Sequence, residues 1–286
     1  MENKKMPRTL TLFLLLTTVL ALSACDSKVA KEPVTKLYVF ECGILEFQDI
    51  SGFSPGVDKG VAKTLTNSCY LVQHKKGYLL WDTGLSDSLG AKGIELKEWK
   101  IRMSMRKSLM QQLKKINVKP EDITYLGISH FHYDHTGNAN NFPNAALLVQ
   151  KEEYETAFGK EPEKYFFDPR TYDKINKDKA VQLTGDHDVF GDGRVIIKRA
   201  IGHTPGHQYL YVHLEQTGGI VISGDIVHYS KNWKHKRVPS FNFNKKQSIK
   251  AMADAEAFIK EKKARFWIQH DLEQNANIKH APEFYQ

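Results

Sequence analysis

Three imidazoles and one carboxylate fall within six consecutive positions, as His130, His132, Asp134 and His135. The apolar run 123–128 precedes them and is typical of a β-strand. Because side chains alternate along an extended chain, the first two histidines should point to one side, whereas the aspartate and the third histidine lie in a turn and can face a second point nearby. The spacing therefore predicts two adjacent metal ions, and zinc accepts imidazole and carboxylate ligands.

The alternative for this stretch is a group of solvated loop histidines, since the chain contains 12 His in all. Ordinary turns, however, require Gly, Asn and Asp rather than imidazole, so the metal site is the preferred interpretation. The overall composition is that of a globular chain: 286 residues, of which 41% are apolar and 26% charged. This length suits one large α/β domain or two small ones.

The formal charge of +8 is spread along the sequence. No recognisable nucleic-acid module accompanies it, so no nucleic-acid partner is predicted. A solvated surface is the favoured interpretation of the excess charge, and attraction to an anionic membrane surface is the alternative. Cys42 and Cys69 remain as an even pair once Cys25 is left out of the count. In an oxidising compartment they can form a disulfide, and two buried free thiols are the alternative.

The first 24 residues resemble a bacterial export signal, with a basic segment at 4–8 and an apolar core at 10–22 that is too short to cross a bilayer. The core ends in LSAC at 22–25, which resembles a lipobox and implies lipid attachment to Cys25. The predicted organisation is a lipoprotein signal peptide at 1–24, a tether at 25–35 and a folded domain at 36–286. The protein would be exported and anchored on the periplasmic side of a membrane, where Asp26 favours the inner one; plain secretion is the alternative.

Further polar residues follow predicted strands or lie in turns later in the chain. The predicted strands are 36–40, 68–72, 78–81, 123–128, 145–149, 180–183, 194–197, 209–214, 220–223 and 265–268, and the predicted helices are 95–116, 151–158 and 244–262. At their ends lie Asp82, His203, His207, Asp225 and His270. This recurrence indicates that several loops meet at one site.

Taken together, DTG at 82–84, the cluster at 130–135, the turn at 202–207, GD at 224–225 and His270 resemble the metallo-β-lactamase superfamily over nearly the whole mature chain. The resemblance implies an α/β fold, the αβ/βα sandwich, in which two mixed β-sheets are flanked by helices. It implies that His130, His132 and His207 hold one ion, that Asp134, His135 and His270 hold the other, and that Asp225 bridges them. Asp82 and His203 would orient ligand imidazoles or only shape their turns.

Within that superfamily the sequence resembles the N-acyl-homoserine lactonases, which open the lactone ring of bacterial signals. The matching segments are FSPG at 53–56, LWDTG at 80–84, SHFH at 129–132, GHQ at 206–208 and HDLEQ at 270–274. The resemblance implies two divalent ions, zinc first with iron, manganese or cobalt as alternatives, and attack on a small-molecule lactone by a metal-bridging hydroxide. Asp134 would orient the hydroxide and return its proton.

One position departs from the lactonase pattern. Those enzymes often have a tyrosine three residues after the bridging aspartate, where this chain has His228 followed by Tyr229, and either is a predicted catalytic donor to the substrate carbonyl. Candidate residues for an acyl groove are Phe131, Tyr133, Trp233, Phe241 and Phe243, which core packing would explain equally well. A broader lactone, ester or phosphoester hydrolase and a non-catalytic metal-binding lipoprotein remain as other hypotheses. The sequence does not indicate an acyl-chain length or an oligomeric state.

Overall fold

Two β-sheets face each other and share an apolar core. The structure is a computed structural model that describes residues 1–3 and 34–286. The larger sheet contains β1 (Lys36–Phe47), β2 (Lys63–His74), β3 (Gly77–Trp81), β4 (Ile94–Leu96), β5 (Ile101–Ser104), β6 (Ile123–Gly127), β7 (Ala146–Gln150) and β8 (Val181–Leu183). Its spatial order is β4-β5-β1-β2-β3-β6-β7-β8. Because β1 and β2 are antiparallel whereas β3 and β6 are parallel, the sheet is mixed.

The smaller sheet contains β9 (His187–Asp188), β10 (Val195–Arg199), β11 (Gln208–Leu214), β12 (Gly218–Ile222) and β13 (Arg265–Trp267), in the spatial order β13-β12-β11-β10-β9. Its β12 and β13 are parallel and its other pairs are antiparallel. Leu79 and Trp81 of the larger sheet share a fully buried cluster with Leu210 and Ile222 of the smaller one. Each such side chain contributes roughly 1.5–3 kcal/mol by leaving water, so this layer holds the two sheets together.

The helices are α1 (Leu109–Lys115), α2 (Tyr133–Thr136), α3 (Lys151–Ala157), α4 (Ser230–His235), α5 (Lys245–Lys262) and α6 (Leu272–Asn275). The long helix α5 packs its buried Met252 and Ala255 in a second apolar cluster with Tyr209, Tyr211 and Val221 of the smaller sheet. A third cluster includes Leu109 and Leu113 of α1 together with side chains of the larger sheet. The predicted sandwich of two mixed sheets flanked by helices is confirmed.

The predicted helix at 95–116 is wrong over its first half. Residues 94–96 and 101–104 form β4 and β5, in which Ile101 and Met103 are buried while Arg102 between them is exposed. The apolar residues of this segment fit a helical period as well. The segment forms a strand rather than a helix because β5 pairs with β1, and this pairing provides hydrogen-bond partners for the backbone N–H and C=O groups of both strands. Only α1 remains helical, and it begins where the Ser108 side chain accepts a hydrogen bond from Gln111 N.

The predictions of α3 and α5 are confirmed. Asn244 caps α5, since its Oδ1 accepts a hydrogen bond from Gln247 N at 3.0 Å. Cys42 and Cys69 form a disulfide between β1 and β2, with their Cα atoms 5.7 Å apart, which decides between the two states left open by the sequence.

The predicted signal peptide at 1–24 and most of the predicted tether at 25–35, including Cys25, lie outside the described residues. Their assignment stays a prediction. Within residues 1–3 and 34–286, every helix is too short or too polar to cross a membrane.

Candidate metal centre

The predicted ligands lie where strands of both sheets end. His130 and His132 follow β6, Asp134 and His135 lie in α2, His203 and His207 lie between β10 and β11, Asp225 follows β12, and His270 follows β13. Because the sheets pack face to face, loops at one edge of the sandwich can meet without distorting either sheet. All of these side chains except that of Asp134 are buried.

One group of donors consists of His130, His132, His203 and Asp225, whose donor atoms lie within 4.8 Å of one another. His130 Nε2 lies 3.0 Å from His132 Nδ1. His203 Nε2 lies 3.1 Å from the former atom and 3.0 Å from the latter. Asp225 Oδ2 lies 3.2 Å from His203 Nε2. Three nitrogens therefore converge on one point beside a carboxylate oxygen.

A second group consists of Asp134, His135 and His270. The Nε2 atoms of the two histidines lie 3.2 Å apart, and Asp134 Oδ2 lies 3.8 Å from each of them. The other oxygen of Asp225, Oδ1, lies 3.0 Å from His270 Nε2 and 3.4 Å from His135 Nε2. Asp225 thus presents one oxygen to each group, which is the arrangement that a bridging carboxylate requires.

The geometry corrects one predicted ligand, because His203 rather than His207 joins the first group. His207 Nε2 accepts a hydrogen bond from Asp225 N at 2.8 Å, and its Nδ1 lies 3.1 Å from Ala200 O. Both ring nitrogens are therefore occupied by the backbone, and none remains for a cation. Burial lowers the pKa of His207 to about 3, which keeps the ring neutral for this structural role. The two histidines lie in one turn four residues apart, so their types and spacing alone did not distinguish them.

Asp82 orients ligand imidazoles, which is one of the two roles that the sequence suggested for it. Its Oδ2 lies 2.9 Å from His135 Nδ1 and accepts hydrogen bonds from Ser129 Oγ at 2.8 Å and Gln269 Nε2 at 2.7 Å. Asp82 has φ 56°, a left-handed conformation that aspartate tolerates better than most residues. Ser129 Oγ in turn lies 3.1 Å from His130 Nδ1, so one carboxylate serves both groups of donors.

The donor set fits divalent cations. Burial lowers the pKa of His130 and His132 well below the ordinary value, which keeps both rings neutral and their lone pairs available. Burial opposes ionisation of Asp225, but the nearby imidazoles, His270 foremost, hold its pKa well below the usual range. Among the described residues, its Oδ1 accepts no hydrogen bond. A buried charged oxygen that receives no hydrogen bond is costly, and a cation bound between the two groups of donors would compensate its charge.

A cavity of about 870 Å³ adjoins these donors. It is lined by His132, Asp134, His203, Asp225 and His270 and, on its apolar surface, by Leu45, Phe47, Phe53, Leu65, Trp99, Ile101, Phe166, Phe167 and Phe241. Of the five predicted groove residues, Tyr133 and Phe241 are among those that line it. Phe131 is fully buried against Tyr172, whereas Trp233 is half-buried and packs on Phe266, and neither lines the cavity.

The two candidate carbonyl donors have different surroundings. His228 lines the cavity, and its Nε2 lies 3.0 Å from Asp225 Oδ2. Tyr229 is buried, and its hydroxyl lies 2.5 Å from Ser54 Oγ, which donates to Asn232 Oδ1 at 2.9 Å. Tyr229 is therefore not brought to the donors, because its hydroxyl is held in the protein interior. Only His228 of this pair reaches the site.

Two further residues of the site escaped the sequence analysis. Asn67 donates from Nδ2 to Asp134 O at 2.5 Å and lies 3.5 Å from its Oδ2. Glu153 of α3 is fully buried and accepts from Phe131 N at 3.0 Å and Gly206 N at 2.8 Å, which ties the two ligand loops together. Nothing in their local sequence marked them, since an Asn in a strand and a Glu in a polar helix are ordinary surface residues.

The chain belongs to the metallo-β-lactamase superfamily: residues 62–259 match the family described as the Metallo-beta-lactamase superfamily. Among curated relatives, the N-acyl homoserine lactonase AiiA of Bacillus thuringiensis subsp. kurstaki is 28% identical over 258 residues, which cover 88% of this chain and 99% of AiiA. The N-acyl homoserine lactonase AttM of Rhizobium radiobacter is 27% identical over 264 residues, which cover 87% of this chain and 98% of AttM.

Solved structures agree with these relatives. An N-acyl homoserine lactone hydrolase with the product N-hexanoyl-L-homoserine bound at its catalytic metal center has a TM-score of 0.76 and 27% identity, covering 88% of this chain and 99% of that one. AidC, a dizinc quorum-quenching lactonase, shares the fold with a TM-score of 0.65 at 17% identity, covering 89% of this chain and 94% of that one. The predicted family is confirmed, with N-acyl homoserine lactonases among its members that this chain resembles.

Proposed function

We propose that the protein is a metal-dependent hydrolase that uses two divalent cations, zinc first, to open the lactone ring of N-acyl homoserine lactones. The observation that carries this proposal is the position of Asp225, whose two oxygens face two separate groups of imidazoles beside an apolar cavity. When bound, two such cations supply a lowered water pKa and a polarised carbonyl, which is the chemistry that ester-type hydrolysis needs.

The aspartates at the site have different roles in binding the cations and in proton transfer. Asp225 holds the two donor groups at a fixed separation, and Asp82 orients His135 through the 2.9 Å contact with its Nδ1. Of the two carboxylates among the donors, Asp134 is the more exposed, and Asn67 fixes its backbone. Asp134 is therefore the group placed to hold a proton during ring opening and return it to the leaving alkoxide.

The cavity suits an amphiphilic substrate. A homoserine lactone head group needs polar contacts, which the donor side of the cavity supplies, whereas an acyl tail needs apolar surface. Phe47, Phe53 and Phe241 supply such surface, and Phe53 packs edge to face on His228 with ring centroids 4.7 Å apart. His228 thus lies where the polar and apolar parts meet, and its imidazole is placed to contact the lactone or its amide.

The test is hydrolysis by the zinc-loaded protein of homoserine lactones with short and long acyl tails, beside a simple ester, a phosphotriester, a penicillin and a thioester. We expect the lactones to be preferred at least tenfold and the rate to fall with bound zinc on titration with a chelator. Equal rates on the simple ester would favour a broader esterase. Zinc binding without turnover of any substrate would favour a non-catalytic metal-binding protein.

We also propose that the protein is exported and held on the periplasmic side of the membrane by lipid on Cys25, with the inner membrane favoured by Asp26. The support is the sequence LSAC at 22–25 after an apolar core. Metabolic labelling with a radioactive fatty acid should mark the wild-type protein and not the Cys25→Ser variant, and fractionation should release the variant from membranes. Labelling of both proteins, or of neither, would contradict the anchor.

A further inference from the structure

The outer nitrogens of the ligand imidazoles contact chemically different groups. His135 Nδ1 lies 2.9 Å from a carboxylate oxygen of Asp82, and His270 Nδ1 lies 2.8 Å from the backbone oxygen of Thr66. His203 Nδ1, by contrast, lies 2.9 Å from the amide oxygen of a side chain, Asn242 Oδ1. Such contacts fix which ring nitrogen carries the proton and influence how strongly the other nitrogen donates to a cation.

The orientation of the Asn242 amide follows from its other partner. Ser248 Oγ donates its hydrogen to Asn244 O at 2.9 Å, so toward Asn242 it can only accept. Asn242 must therefore direct its Nδ2 to Ser248 Oγ, 2.9 Å away, and its Oδ1 to His203. Because an amide oxygen only accepts, His203 Nδ1 carries the proton. Its Nε2 lone pair consequently points at His130 and His132.

The backbone holds this pair of residues in register. Phe243 N donates to His203 O at 3.0 Å, and Asn244 N donates to Gly202 O at 2.9 Å. Gly202 has φ 146°, and a Cβ there would come within 2.4 Å of Ser248 N, so the turn and the start of α5 are in direct contact. Backbone contacts therefore fix the positions of the three residues, Ser248, Asn242 and His203, whose side chains are hydrogen-bonded in series.

We propose that Asn242 is the positioning residue of the cation site formed by His130, His132 and His203, and that this site is the weaker of the two. The outer nitrogen of its His203 contacts a neutral amide, that of its His130 contacts the Ser129 hydroxyl, and its one carboxylate, Asp225, is shared with the other site. The other site has Asp134 in addition, and its His135 contacts the Asp82 carboxylate, which makes an imidazole a stronger donor. The inference rests on the proposed two-cation site and deepens it.

The test measures zinc binding to the folded protein by equilibrium dialysis against a competing chelator, without any substrate. Wild type should bind two ions with distinct dissociation constants. Asn242→Ala should raise the dissociation constant of the more weakly bound ion about 10–100-fold, as expected when a ligand histidine loses its hydrogen-bond partner. The dissociation constant of the more tightly bound ion should stay within about twofold. Asn242→Asp should restore or tighten the weaker ion, because a carboxylate accepts the same hydrogen bond.

Two control variants separate positioning from general damage. Asn277→Ala removes an exposed asparagine whose Nδ2 bonds only to Glu273 O among the described residues, and it should leave both constants unchanged. Ser248→Ala removes the acceptor that orients the Asn242 amide, together with the donor to Asn244 O, and leaves Asn242 itself in place. It should therefore weaken binding of the same ion by a smaller factor, and it provides the test if Asn242→Ala does not fold. When Asn242→Ala and wild type are both loaded with cobalt, the visible absorption of the ion at the His203 site should differ between them, and that of the ion at the other site should not.

Unchanged constants in Asn242→Ala, or equal weakening of both ions that Asn242→Asp fails to restore, would overturn the inference. Its failure is distinguishable from that of the proposed function. Two bound ions with the predicted response but no lactone hydrolysis would refute the function alone. Lactone hydrolysis with metal constants indifferent to Asn242 would refute only the positioning role.

Discussion

The two sides of the cavity are built differently. The donor side consists of histidines and aspartates that follow regular strands or lie in the short helix α2, and all of them except Asp134 are buried. The outer nitrogens of these histidines mostly have hydrogen-bond partners. Part of the apolar side comes from irregular segments, where Trp99 is 63% and Phe166 41% exposed and their rings meet edge to face at 5.7 Å. Chemistry needs fixed geometry and an apolar tail tolerates adaptable packing, so we expect substitutions on the donor side to affect turnover and those on the apolar side to affect substrate range.

The largest effect is expected at the bridging residue. Asp225→Asn keeps the shape of the side chain but replaces a charged oxygen with an amide nitrogen, so one donor group loses its shared carboxylate. We expect kcat/KM for a lactone to fall about a thousandfold, corresponding to roughly 4 kcal/mol of transition-state stabilisation, together with loss of bound zinc. Elemental analysis beside the assay checks both. A variant that retained two ions and most of its activity would remove the distinction between the two sides.

His203 and His207 provide the next test, because they lie in the same turn but have different partners. His203→Ala should reduce bound zinc from two ions to one and lower kcat/KM about a hundredfold. His207→Leu should keep both ions and lower the free energy of unfolding by about 1–3 kcal/mol, since Asp225 N loses its acceptor. Metal content and urea denaturation of both variants distinguish these outcomes. The reverse pattern would reinstate His207 as the ligand.

His228 lies at the boundary between the two sides. His228→Ala should lower kcat/KM about 10–100-fold, because its imidazole contacts Asp225 and faces the cavity. His228→Tyr tests which contact matters: recovery of the rate would indicate that a donor to the substrate is sufficient. Continued loss would indicate that the contact with Asp225 is required. A rate equal to wild type in both variants would exclude His228 from the mechanism.

On the apolar side, the double change Trp99→Ala and Phe166→Ala should raise KM about tenfold for a lactone with a long acyl tail and leave kcat nearly unchanged. A short-chain lactone should show a smaller change, because its shorter tail buries less apolar surface. Val181→Ala is a matched control, since Val181 is 41% exposed and does not line the cavity. An equal loss of kcat/KM for long-chain and short-chain lactones would indicate that the two rings act on the reacting lactone and not on the acyl tail.

The smallest effect on turnover is expected from the disulfide. Replacing Cys42 and Cys69 together by alanine removes a cross-link over a sequence separation of 27, which should lower the free energy of unfolding by about 3 kcal/mol. Because neither sulfur contacts the donors, the rate of the folded variant at 25 °C should stay within about twofold. Chemical denaturation and an assay below the unfolding midpoint measure the two quantities. A large loss of rate in fully folded protein would show that the bond also shapes the site.

The positions of most strands along the chain and the residue types of most donors could be inferred from the sequence because each depends on local information. The strand before His130 has a continuous apolar run, and the spacing of the next five residues is incompatible with an ordinary turn. The segment at 95–116 shows the limit of such inference. Its apolar residues fit both periods, and only pairing of β5 with β1 settles the matter.

The sequence by itself determined the chemistry: which residue types could bind cations, and that several of them follow predicted strands. The tertiary structure alone decided how those types are used. It gave His203 a free nitrogen and His207 two backbone partners, and it turned Tyr229 inward to Ser54. It also brought Asn242 to His203 from 39 residues away. Hydrogen bonds between distant segments fix these roles, and no local pattern encodes them.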